Sequence, residues 1–190
     1  YIEGIQNNGI INHYEYIINS EGTIEIRHVL KPEGKMPLWF PRIGLTLTVS
    51  DALDQVKWYG RGPQENYPDR KTGYPTGIYA STVQAMYEPY LMPQDYGLRT
   101  DVRWLQLTTD KGIGLQFKMN EWFNFNIYPY STDNLTKAMY TYQLQKQKGM
   151  TLNLDYATTG VGCTARGVFG AYKAMPQEYR RTISIRPMMK

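Results

Sequence analysis

The sequence predicts an all-β fold, a sandwich of short strands, and two observations carry that prediction. The 190 residues hold 17 Tyr, 17 Gly and 11 Pro but no long stretch rich in Ala, Glu, Lys and Leu, a composition that suits strands joined by turns. Apolar residues recur in short runs bounded by turn-forming residues, spaced as in a sandwich rather than as alternating β and α units. A chain of this length can bury a core without staples, so a single domain over 1–190 is expected.

The elements follow in order. Residues 14–18 (YEYII) and 23–30 (TIEIRHVL) are rich in strand formers, and Asn19-Ser20-Glu21-Gly22 between them has hairpin-turn chemistry. Two prolines and a glycine in 31–37 predict a loop. "IGLTLTV" then alternates at Ile43, Leu45, Leu47 and Val49, which predicts a strand with one buried face. Further strands are predicted at Gln55–Tyr59, Val102–Thr108, Gly114–Met119, Phe123–Tyr128, Thr151–Tyr156 and Thr182–Arg186. One short helix is predicted over Thr132–Tyr140, with Ser131 as N-cap, Asp133 in the first turn, and Leu135 and Met139 on one face. Gly60 to Arg99 reads as a long irregular region, and loops of that length are usually functional or interface-forming.

Composition also excludes partners. The formal charge of +4 comes from 21 basic and 17 acidic residues scattered along the chain, without the basic stripe that nucleic acid requires. No apolar run reaches the roughly 20 residues that span a bilayer, so neither nucleic acid nor membrane is an expected partner. The single cysteine, Cys163, excludes an internal disulfide framework and a Cys-rich metal site. No signal segment opens the chain, and its start at Tyr1 gives the expectation of a piece cut from a longer polypeptide.

The stretch "WYGRGPQENYPDR", residues 58–70, offers three readings. A phosphate cradle is disfavoured, because Pro63 removes a backbone donor and no helix pattern follows Gly60-Arg61-Gly62. Glu65 and Asp69 resemble a glycosidase acid pair, two carboxyls roughly 5–10 Å apart. The structural reading is favoured: in a Pro-rich loop these acids can equally pair with Arg61, Arg70 or backbone amides. His13 and His28 lack metal-ligand spacing and read as packing or surface residues. Cys163 reads as a small core residue rather than a nucleophile. The rings of Trp122–Tyr128 and Tyr140–Tyr142 suit either a sugar-stacking platform or a sandwich core, the core being favoured.

Four blocks in fixed order, "PRIGLTLTV", "WYGRGPQENYPDRKTG", "YLMPQDYGLRTDVRWLQLT" and "TTGVG", resemble the C-terminal β domain (the small-chain domain, domain 5) of multidomain β-galactosidases of glycoside hydrolase family 2. The resemblance covers about Phe40 to Pro187. It implies a galactose-mutarotase-like β supersandwich, truncated at its N-terminus, beside a catalytic barrel and other domains of the same bacterial polypeptide. In that family the two catalytic glutamates and the metal ligands, for ions such as Mg, lie on the barrel, so no catalytic residue, metal site or cofactor is expected here. The galactoside substrate is expected to be hydrolysed by the full-length enzyme, with this domain giving packing, assembly and one wall of the sugar site. Location in the bacterial cytoplasm or periplasm is left open. An ungapped match puts Gly167 where the best-known members carry a substrate-contacting Trp, and neighbouring Arg166 is the candidate replacement contact. Trp58, Gly60, Gly62, Pro63, Glu65, Asn66, Asp69 and Arg70 then read as a corner, with Trp58 and Tyr59 ending a strand and the glycines allowing a tight turn. The alternatives are a carbohydrate-binding module without catalysis and an aldose epimerase-like enzyme, which needs a positioned acid–base pair.

Overall fold

The computed structural model describes residues 2–4, 8–163 and 167–189. Its strands are β1 (Ile2–Gly4), β2 (Asn8–Ile18), β3 (Ile24–Glu33), β4 (Arg42–Val49), β5 (Gln55–Arg61), β6 (Thr76–Thr82), β7 (Arg99–Thr108), β8 (Gly114–Tyr128), β9 (Met150–Thr158) and β10 (Tyr179–Met188), with one α-helix, α1 (Thr132–Lys137). The fold is all-β. All strand pairs are antiparallel. Their order is β1-β2-β3-β10-β8-β7-β5-β6, and β9 joins β8 to β4 off that path.

The first hairpin closes as its turn chemistry dictates. The Asn19 side-chain oxygen accepts the backbone N–H groups of Glu21 and Thr23, both at 3.0 Å, and Gly22 takes the left-handed conformation at φ +77°. β3 continues through Glu33, past the loop expected to begin at residue 31. Pro32 opposes Ile10 of β2, whereas pairing with β10 stops at Leu30. The missing N–H of Pro32 therefore leaves no gap in a two-sided ladder.

β8 corrects the expectation of two separate strands. Gly114–Met119 pairs with β10, while Asn124–Tyr128 pairs with β9. One fifteen-residue strand thus changes neighbour midway and connects the two parts of the sandwich. Exposed Asn120, Glu121 and Trp122 mark the change, and their polarity is what reads as a break. β7 follows along the other edge only by shifting register twice between Arg99 and Trp104.

The region from Gly60 to Arg99 contains β6, which extends the sheet at its edge against β5. Its small and polar residues gave no strand pattern. The helix starts as expected, Ser131 Oγ accepting the Asn134 N–H at 3.1 Å, but it ends at Lys137 rather than Tyr140. Gln143 Oε1 draws the backbone N–H groups of Met139 and Tyr140 into the cap of a following 3₁₀ turn. The core is built from Trp58, Leu105, Leu107, Phe117, Phe123, Phe125, Leu152, Leu154 and Ile183, all fully buried. Each contributes about 1.5–3 kcal/mol of apolar burial.

Candidate functional site: a polar cleft beside a locked corner

Residues 58–70 pack under one wall of the cleft. Trp58 is fully buried between Tyr79 and Phe125, with ring centroids at 5.5 and 5.9 Å, and its Nε1–H donates to the Arg61 carbonyl at 3.0 Å. β5 runs on through Arg61, so Trp58 and Tyr59 do not end it. Neither glycine makes a tight turn. A Cβ on Gly60 would lie 2.9 Å from Val102 Cγ2 and 3.0 Å from its Cα; one on Gly62 would lie 2.8 Å from the Tyr79 ring. These glycines permit close packing. The turn itself lies at Tyr67–Arg70, closed by the Arg70 N–H on the Tyr67 carbonyl at 2.8 Å, with Pro68 at its second position.

The polar side chains join this turn to three distant segments. Glu65 accepts from the Gly97 N–H at 2.8 Å, from the Tyr67 hydroxyl at 3.2 Å and from the Tyr90 hydroxyl. Burial, then the adjacent Glu65 carboxylate, pushes the Tyr90 hydroxyl up to about 12 and raises Tyr67 as well. Asn66 is fully buried, donates from its backbone to Leu98 and accepts at Oδ1 from the Thr100 N–H and hydroxyl. Asp69 accepts the N–H groups of Val161 and Gly162 at 3.1 and 2.7 Å. The Pro63 carbonyl accepts from buried Arg99 at 3.0 Å. Arg70 is half-exposed, 3.9 Å from Glu65 and stacked over Tyr67 at 5.2 Å. Arg61 and Lys71 both reach Asp101, each at 2.5 Å. Burial works to raise the Asp101 carboxyl, but these two cations outweigh it and hold it low.

Beside the corner lies a cleft of about 750 Å³, lined by residues that include Arg42, Tyr67, Arg70, Tyr90, Gln94, Asp95, Thr158 and Gly162. Arg42 and Asp95 tie its lining to a buried polar network on strands. Arg42 on β4 reaches Asp155 at 2.9 Å and Asp95 at 3.3 Å. Asp95 Oδ1 also accepts from Asn126 at 2.9 Å and from the Tyr128 hydroxyl at 3.1 Å. Asn153 donates to Asn126 and Tyr128, and Thr46 donates to Asn153. Burial raises the Asp155 carboxyl to about 7, against the pull of Arg42. Arg42 and Asp95 lie in the quoted blocks and Asn126 in the aromatic run 122–128, but the sequence marked none of these, nor Asn153 and Asp155, as members of one network.

The remaining candidates fall elsewhere. His28 is buried, stacked on Tyr14 at 4.2 Å and hydrogen-bonded to Tyr156 and Asn12; burial lowers its pKa to about 4. His13 is exposed. Cys163 is exposed at the cleft rim rather than in the core. Phe123, Phe125 and Tyr128 fill the interior, whereas Trp122 is exposed under Arg103 at 3.9 Å. Tyr140 and Tyr142 stack on each other at 5.4 Å on the surface. Arg166 lies outside the described residues. Gly167 is exposed, with nothing within 4 Å of a Cβ placed on it. Among the described residues no group of three or more His, Cys, Asp or Glu side chains is arranged to hold a metal ion, and no helix is long and apolar enough to cross a membrane.

Comparison with known proteins adds the following. A family model described as beta galactosidase small chain matches residues 4–185. A β-galactosidase of Priestia megaterium is 38% identical over 147 residues, 77% of this chain and 14% of the relative. One from Vibrio cholerae is 39% identical over 122 residues, 64% of this chain and 11% of the relative. One from Pseudoalteromonas haloplanktis is 33% identical over 159 residues, 82% of this chain and 14% of the relative. The matched chain thus spans only about a seventh or less of these relatives. A solved structure of a putative aldose 1-epimerase from Escherichia coli K12 covers all of this chain and 68% of its own, at a TM-score of 0.39 and 6% identity, a likeness too loose to carry an argument.

Proposed function

The chain belongs to the beta galactosidase small chain family, and from that premise we propose that it is a non-catalytic domain of a larger β-galactosidase. Hydrolysis of terminal β-D-galactosides takes place on a catalytic barrel elsewhere in the parent polypeptide, with any metal such as Mg held there. This domain supplies packing, assembly and one wall of the sugar site. The small share of each relative's length that the chain spans supports a multidomain parent.

The observation that carries the reading is how the acids are used. Glycoside hydrolysis commonly needs two carboxyls free to exchange protons with substrate and water. Here Glu65 is held by two tyrosine hydroxyls and a backbone amide, Asp69 by two backbone amides, and Asp155 is buried beneath Arg42. Among the described residues that line the cleft, Asp95 is the only acid. One acid does not make a pair.

The corner at residues 58–70 then has an architectural role, fastening the segments at 97–100 and 160–162 to the turn. The purified 190-residue chain, free of full-length enzyme, is expected to give no turnover of a chromogenic β-galactoside. Measurable turnover that co-purifies with the chain would overturn the proposal.

A further inference from the structure

The outer face of the sheet that runs from β2 to β6 changes character along its width. Register sets Ile78, Tyr59, Trp104, Lys118, Ser184 and Glu25 in one row across β6, β5, β7, β8, β10 and β3, and directly opposed residues share a face. The opposite face of the same strands carries Trp58, Leu105 and Phe117 into the core. Around β3 the outer face is a solvated one, with exposed Arg27 bridging Glu25 at 2.9 Å and Glu15 at 3.2 Å. Toward β6 it turns apolar. Ile78 is 62% exposed and Trp122 60%, and the rings of Tyr59 and Trp104 lie alongside with centroids 6.5 Å apart. The sheet's own core needs none of these side chains.

Arg103 organises this patch. Its guanidinium lies 3.9 Å from the Trp122 ring centroid and 5.1 Å from that of Tyr59, and Nη1 donates to the Asp101 carbonyl. Among the described residues its other N–H groups have no acceptor, and neither Arg103 nor exposed Lys57 and Lys118 has an ion-pair partner. Glu121, the acid beside Trp122, is already taken by Arg181 at 2.9 Å. A planar cation held between two rings, with its fork unspent, is ready for a carboxylate. Trp, Tyr and Arg are also the residues that dominate binding energy at protein interfaces.

The charges choose the occupant. A second copy laid face to face would set Lys57, Arg103 and Lys118 against their own kind, at a cost. A sheet face without walls does not enclose a small molecule. What fits is an apolar protein surface edged with Asp or Glu. The matched segments make up 14%, 11% and 14% of three relatives, so a multidomain parent has ample chain to supply such a surface, and tethering gives it a high effective concentration.

We propose that this face seats another domain of the parent polypeptide, which covers Ile78, Tyr59 and Trp122 with apolar side chains and gives Arg103 a carboxylate. The inference rests on the multidomain reading and adds to it which surface is covered and by what chemistry.

The test is hydroxyl-radical footprinting, which reads side-chain exposure, of the 190-residue chain and of the full-length parent. Trp122 and Ile78 should be oxidised freely in the chain and about fivefold or more slowly in the parent, as expected for residues in an interface core. In the parent, Ile78→Glu and Arg103→Glu should each return Trp122 toward the rate seen in the chain. Melting curves of the chain carrying the same substitutions provide the control. Should Arg103→Glu fail to fold, Ile78→Glu, whose side chain makes no hydrogen bond and is mostly exposed, decides the matter. Equal oxidation of Trp122 and Ile78 in both proteins would overturn the proposal. So would protection of these residues in the chain alone that grows with its concentration, the mark of a second copy, or protection in the parent that survives Ile78→Glu. A parent without a further domain would remove the multidomain reading and this proposal together, whereas an unprotected face in a multidomain parent removes the proposal alone.

Discussion

At the scale of single residues, the bonds of Glu65 and Arg70 predict different costs. Glu65→Ala would strip the acceptor from the Gly97 N–H and two tyrosine hydroxyls, at about 2–4 kcal/mol and a melting temperature lower by about 5–10 °C. Arg70→Ala removes a half-exposed, 3.9 Å ion pair and one cation–ring contact, worth about 1 kcal/mol or less. Thermal melts of the two variants check the ranking, and an unchanged melt in Glu65→Ala would contradict an architectural corner. His28 and Asp155 predict opposing effects of pH. His28 has its pKa lowered from 6.5 to about 4 by burial, so the unfolded chain binds the extra proton. Its contribution is complete above pH 6.5 and is lost as pH falls toward 4. Asp155 is raised from 3.8 to about 7, so the folded state holds the extra proton and stability is gained as pH falls from 7 toward 4. Each slope is at most about 1.4 kcal/mol per pH unit, and in the shared window they largely cancel. Urea unfolding from pH 4.5 to 7.5 should therefore change little through these groups in the parent chain. It should fall with acidity in Asp155→Asn and rise with acidity in His28→Gln.

At the scale of elements, what was legible followed the local rules. The Asn19–Gly22 hairpin, the alternating strand at β4 and the Ser131 cap are each decided by neighbours in sequence. The misses were decided by partners far away. β8 reads as two strands because Asn120–Trp122 breaks its pattern, yet it stays one strand because β10 and β9 take it up in turn. The buried polar network behind the cleft was hidden for the same reason. "FNFNIY" and "TLNLDY" alternate apolar with polar residues, which reads as one wet face, but Asn126, Asn153 and Asp155 are all buried. Register places Asn126 opposite Asn153, which donates to it, and Asn124 opposite Asp155, a pair bridged by the Thr158 hydroxyl, which accepts from Asn124 and donates to Asp155. Close strand approach also sets which glycines matter. A Cβ on Gly44, at the register shift between β4 and β9, would lie 2.3 Å from the Leu154 carbonyl oxygen, whereas one on Gly73 meets nothing within 4 Å. Gly44→Ala should cost about 2 kcal/mol or more by forcing backbone apart, and Gly73→Ala should stay within about 0.5 kcal/mol. Denaturant midpoints of the two variants make the comparison.

At the scale of the whole molecule, the two ends of the strand order differ in a way that sets solution behaviour. The β6 edge is short and built largely from Thr, Gly, Ala and Ser, a composition that resists pairing with other chains. At the other end, β1 covers only Asn8–Ile10 of β2, so among the described residues Ile11–Ile18 has no strand on its outer side. That stretch exposes Ile11, Tyr14, Tyr16, Ile17 and Ile18, combining unpaired backbone groups with apolar side chains on both faces. An edge of this kind is a template for another strand. Two copies related by a two-fold axis between Tyr14 and Glu15 would pair Ile11 with Ile18 and Asn12 with Ile17, and no like charges would oppose each other. The 190-residue chain is thus expected to self-associate with rising concentration in sedimentation velocity. Tyr16→Lys, which places a charge on the open stretch away from the core, should return it to monomer with little change in melting temperature. A chain that stays monomeric at high concentration, or a Tyr16→Lys variant that associates as strongly as its parent, would show that this edge is not the adhesive surface.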